Sequence, residues 1–162
     1  VRLWLFYLVL FLIQGFLGTL LLPYPAPDLF LLAVLTLMWR VPDWQLVLIA
    51  YGAGLLQDVA GHGEWGIHAL GLASAVMLAS LLRAQLSQKG FFSRLLLVLA
   101  ALIGKWLMVI PLVMWQRGSF SLSWDVAQVM VIEGIFTLLS SIIIVPWGEA
   151  LMERVLLKKD PL

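Results

Sequence analysis

Cysteine is absent from all 162 positions, which removes disulfides, thiolate metal sites and a thiol nucleophile together. Charge is almost as scarce. Asp, Glu, Lys and Arg make up 12% of the chain and hydrophobic residues 63%, where a soluble domain carries about 25% charge. Ten basic and nine acidic residues leave a formal net charge of +1, so neither sign dominates and nothing marks a nucleic-acid surface. Histidine occurs only twice, at positions 62 and 68. No long polar loop, internal repeat or low-complexity segment is present, which leaves no room for a separate soluble domain. With a mean hydropathy of +1.05, the chain has too little polar surface to cover a core in water. The expectation is a chain whose main solvent is lipid.

What is abundant is long apolar sequence. An apolar helix needs about 20 residues to cross about 30 Å of hydrocarbon. Six runs qualify as candidate spans of one all-α transmembrane domain covering 1–162: residues 3–22, 28–40, 43–59, 66–83, 93–115 and 124–148. The first is too long for a signal-peptide core of about 7–15 residues and lacks a convincing cleavage site, so it reads as a retained anchor. "PYPAPD" breaks it, since proline has no amide donor. The second run is short for a full crossing, and local bilayer thinning or an extended approach through "PYPAP" would each accommodate it.

The positive-inside rule arbitrates the count. With a cytoplasmic N-terminus and six crossings, Arg2, Arg40, Arg83, Lys89, Arg94, Arg154, Lys158 and Lys159 fall inside. Arg117 alone falls outside and Lys105 lies within the membrane. Removing the second crossing would carry Arg83, Lys89 and Arg94 outside, so six spans with both termini cytoplasmic are expected. Tryptophan prefers the headgroup zone. Trp4, Trp39, Trp44 and Trp147 fall at inner ends, Trp65, Trp115 and Trp124 at outer ends, and Trp106 mid-span.

Polar residues inside such a chain are the candidates for function. Lys105 and Glu133 lie on consecutive antiparallel helices, each about 15 Å below the outer end at about 1.5 Å per residue. A charge at that depth is expensive and seeks a partner. An ion pair holding the two helices in register is the preferred reading. A proton or ion relay is the other, but the inner halves of these helices supply no further groups for one. The fourth helix carries Gly71, Ala75 and Ala79 at four-residue spacing, which permits close helix packing. Interior packing is the first use of such a stripe and a homodimer face the second. The basic tail falls short of the 4–8 residues of a dedicated anionic-lipid site, so snorkelling contact with membrane lipid is expected.

The densest polar stretch is "GLLQDVAGHGEWGIHAL", residues 54–70. Its glycines permit close approach and positive φ, so it reads as the outer turn between the third and fourth helices. Asp58 is placed to accept amides from the start of the fourth helix, where the dipole favours an anion, and His68 lies in that first turn. A polar clasp closing the turn and a contact for a solute or partner are the two readings. His62, Glu64 and His68 fit no zinc pattern, and no nucleophile has a second catalytic partner. No catalytic, cofactor-binding or metal site is expected, and no enzyme.

That stretch resembles the MreD family of rod-shape-determining membrane proteins. Gly54, Asp58, Gly66, His68, Ala69 and Leu70 carry the match, and Pro27-Asp28, near the outer start of the second span, matches an earlier element loosely. His62, between Gly61 and Gly63, stands where many relatives have glycine. The resemblance implies a non-enzymatic scaffold of the bacterial cell-elongation machinery in the cytoplasmic membrane. Its partners would be MreC, then RodA with its class B transpeptidase and the MreB filament, and its task to help organise peptidoglycan synthesis. It also implies a fold similar to the substrate-binding subunits of energy-coupling-factor transporters. A solute-binding subunit of a vitamin-type transporter is accordingly the alternative function, with Asp58, Glu64 and His68 capping a pocket.

Overall fold

The computed structural model describes residues 2–60, 65–86, 90–118 and 124–156. Six helices follow in order: α1 (Arg2–Leu20), α2 (Leu29–Thr36), α3 (Asp43–Ala60), α4 (Ile67–Arg83), α5 (Phe91–Arg117) and α6 (Trp124–Leu156). The described residues are helical apart from turns and the non-helical stretch 25–28. Two stretches, Phe91–Gln116 and Trp124–Leu151, are long and apolar enough to cross a membrane, while Leu8–Leu20 and Ile67–Arg83 are apolar but shorter.

The helices pack in a defined order. α4 lies between α3 and α5, with its closest packing against α5, and α6 lies chiefly against α2. α1 touches only α2 and α3 in any number. At the centre is α2, all eight of whose residues are buried. The sequence LFLLAVLT has no polar face because it has no surface to present.

The second span is not the continuous 28–40 helix expected from hydropathy. At about 1.5 Å per residue α2 is about 12 Å long, too short to cross a bilayer by itself. Two irregular stretches flank it. On one side residues 25–28 are non-helical and lead inward. Buried backbone outside regular structure must find other hydrogen-bond partners, and the sequence reduces that demand. Pro23, Pro25 and Pro27 have no amide hydrogen. The two amides nearest the helix are met by side chains from other helices: Asp28 N donates to Thr137 Oγ1 at 3.0 Å and Leu29 N to Gln14 Oε1 at 3.0 Å. On the other side, Leu37 and Met38 donate to carbonyls three residues back, which tightens the helix end before Pro42 stops it.

The distribution of polarity is inverted relative to a soluble fold. Asp28, Asp58 and Lys105 are each no more than 3% exposed. Leu107, Phe92 and Ile143 are 73–78% exposed. Trp44, Trp65, Trp115 and Trp124 stand out from the surface near helix ends, and Trp147 does so within α6.

Candidate functional site

α4 begins on Gly66, which adopts φ +92° and has no side chain with which to cap its own helix. The cap comes from a different helix. Asp58, one turn beyond Gly54 on α3, accepts four hydrogen bonds from the start of α4. Its Oδ2 takes Gly66 N at 2.9 Å and Ala69 N at 3.2 Å, and its Oδ1 takes His68 N at 3.0 Å and His68 Nδ1 at 2.8 Å. An ionised carboxylate only accepts, so the shared hydrogen sits on Nδ1 of the imidazole. Three orphan amides and the positive end of the helix dipole are satisfied by one anion. Gly54 makes this reach possible. A Cβ there would lie 2.5 Å from His68 O and against the Ala69 backbone, so only glycine lets α3 and α4 approach this closely.

The clasp is an interior structure. Asp58 has both oxygens occupied by hydrogen bonds from the start of α4 and is 3% exposed. His68 keeps a 39% exposed side chain and is the reachable member. His62 and Glu64 lie outside the described residues. Among the described residues no group of three His, Asp or Glu side chains is placed to hold a metal ion.

A second acidic centre lies one turn of α4 further in. Lys105 on α5 is clamped between Glu133 Oε1 on α6 and Asp28 Oδ2, the latter at 2.6 Å. Asp28 also caps α2, its Oδ1 accepting Leu31 N at 3.0 Å. The three side chains are 1%, 4% and 12% exposed for Asp28, Lys105 and Glu133. Two carboxylates and one ammonium leave a formal charge of −1, and the second oxygen of Glu133 has no hydrogen-bond partner among the described residues. The triad joins α2, α5 and α6, and Gln14 and Thr137 on the adjoining amides extend it to α1.

Asp28 stands at the start of α2, as its place in the sequence suggests, but its contact with Lys105 is one that the sequence does not mark. Gln14 and Thr137 were not singled out at all. Gln14 is the lone amide in the apolar run of α1, and Thr137 lies one helical turn from Glu133. Both were available signals.

The stripe Gly71, Ala75 and Ala79 is buried within the fold. At Gly71 a Cβ would lie 2.8 Å from Val109 Cγ2 and 3.5 Å from Lys105 Cγ. Across the seam Ser74 Oγ sits 2.9 Å from the carbonyls of both Gly71 and Gly104. α4 therefore spends its small residues on α5, which leaves this stripe unavailable as a dimer face. A groove of about 320 Å³ lies elsewhere, between α1 and α6, lined by Leu17, Leu21, Pro27, Leu29, Phe136, Leu139, Ser140 and Ile144.

No family model matches the chain, and no curated protein or solved structure matches it.

Proposed function

We propose that the chain is a multi-pass protein of the bacterial cytoplasmic membrane, with both termini cytoplasmic, that acts as a non-enzymatic scaffold of the MreD type and binds the single-span protein MreC. RodA with its class B transpeptidase and the MreB filament would be neighbours in the same assembly. The observation that carries the reading is the inverted polarity of the fold. Its strongest charges are consumed inside, fastening helices to one another, while leucine, isoleucine and tryptophan cover the outside. Groups spent on helix joints are not free for turnover, and an apolar exterior is suited to contact with lipid and with another helix. The resemblance of residues 54–70 to the MreD turn points to the same partner.

The test is co-purification. Asp58→Leu removes the acceptor for three amides of the α3–α4 turn, and MreC retention by that variant is expected to fall while expression holds. Undiminished retention would count against a role for the turn in partner binding. Labelling of Trp65→Cys by a membrane-impermeant reagent from the periplasmic side checks the orientation. The alternative, a solute-binding transporter subunit, draws on two buried polar atoms without partners among the described residues, Gln57 Oε1 and Trp106 Nε1, which a polar ligand could satisfy. Native mass spectrometry separates the two: a retained vitamin-sized molecule supports transport, and a retained single-span protein supports scaffolding.

A further inference from the structure

Resting on the scaffold reading, we infer that the groove between α1 and α6 is the seat of the partner's transmembrane helix, and that this helix carries a basic or hydrogen-bond-donating side chain facing Glu133. Two independent features point to a helix of that chemistry. The first is shape. α1 stands away from α6, and the groove between them has walls from Leu17 and Leu21 on one side and Phe136, Leu139, Ser140 and Ile144 on the other. Gly18, one turn before Leu21, has nothing within 4 Å of where a Cβ would stand, so the α1 backbone is open to close approach.

The second feature is charge. Glu133 is three and seven residues before Phe136 and Ser140, which places it on the same side of α6 as the groove wall. Pro27 and Leu29, which flank Asp28, form part of that wall. The groove therefore runs up to the triad, where one ammonium faces two carboxylates and one oxygen of Glu133 has no partner among the described residues. An acyl chain would fill the apolar part but leave that oxygen unmet. A helix with one donor at the level of Glu133 and aliphatic residues one and two turns along it meets both.

A chain without cysteine allows a direct experiment. Leu139→Cys and Ser140→Cys in the groove, and Leu107→Cys on the exposed face of α5, are each combined with single cysteines stepped along the MreC span, and disulfides are formed in membranes. The expected result is crosslinking at 139 and 140, recurring about every 3–4 partner residues, with none at 107. Ser140→Trp fills the groove without touching the three charges and should cut MreC retention at least about tenfold, a loss of about 1.4 kcal/mol. Glu133→Gln should cut it less, because an acceptor oxygen remains. MreC retained but crosslinked only at 107 overturns the groove and leaves the scaffold reading intact. Disulfide-linked copies of this chain through Ser140→Cys, with MreC absent from the groove, overturn the choice of occupant. Failure of the unaltered chain to retain MreC at all overturns the scaffold reading, and the groove falls with it.

Discussion

Asp58 and Asp28 are both buried aspartates that cap a helix, yet they do different work. Asp58 is a hydrogen-bonded anion: four donors from residues 66–69 surround it, and within the fold it joins α3 to α4. Asp28 takes one amide of α2 and then depends on Lys105, which in turn depends on Glu133. The first can be neutralised and still accept some of its bonds. The second belongs to a set of charges that must be present or absent together. Backbone amides make a local joint, and ionised side chains make a joint that spans the fold.

The largest effect should come from breaking the charge set. Lys105→Met leaves two buried carboxylates with no cation, and removing one member of a buried pair costs about 3–5 kcal/mol. The thermal midpoint in detergent should fall sharply, and Lys105→Met combined with Asp28→Asn and Glu133→Gln should recover most of the loss. A single variant that melts with the parent would remove the triad from any account of stability. Next in size is Gly54→Ala. The added methyl meets the backbone of His68 and Ala69, which cannot swing aside, and such overpacking costs about 1–3 kcal/mol. Hydrogen exchange at the amides of Gly66, His68 and Ala69 should quicken, because the carboxylate is pushed away from them.

Much of this arrangement is legible in the sequence and one part is not, for a definite reason. Apolar runs broken by proline and glycine mark out the helices. The level of Lys105 and Glu133 follows from counting helical residues away from the loop that joins α5 and α6. Asp58 reads as a helix-turn acid because Gly54 and Gly66 flank it. The contact of Asp28 with Lys105 defeats the same counting. Helical residues advance about 1.5 Å each and extended ones about 3.3 Å, so a few non-helical residues after Pro23 descend as far as about ten helical ones. The end of α2 is equally silent, since Leu37, Met38 and Trp39 are as apolar as the helix before them.

Asp58→Asn sharpens the contrast further. The amide retains one accepting oxygen, so two of the four donors keep a partner, and the loss should be smaller than for Asp58→Leu, which removes both acceptors. Its signature should be local, with faster exchange at the start of α4 and little change in α5 and α6. Asp28→Asn, which also removes the charge facing Lys105, should instead weaken protection across α2, α5 and α6. Equal and global effects from the two would mean that the two acidic centres are one cooperative unit.

The smallest effect is expected where an ion pair of similar geometry meets solvent. Arg83 Nη2 lies 2.7 Å from Asp43 Oδ1, as close as Lys105 lies to Asp28, but the Asp43 side chain is 54% exposed. Arg83 is also held without it, donating to Met38 O and lying 5.9 Å from the Trp39 ring centre. Exposed pairs contribute about 0–1 kcal/mol, so Asp43→Asn should shift the thermal midpoint barely, and added salt should erase what shift there is. Contact distance is nearly the same in the two pairs, and only burial and shared dependence differ. A drop for Asp43→Asn matching that of Lys105→Met would therefore show that proximity, and not removal from solvent, sets the strength of these joints.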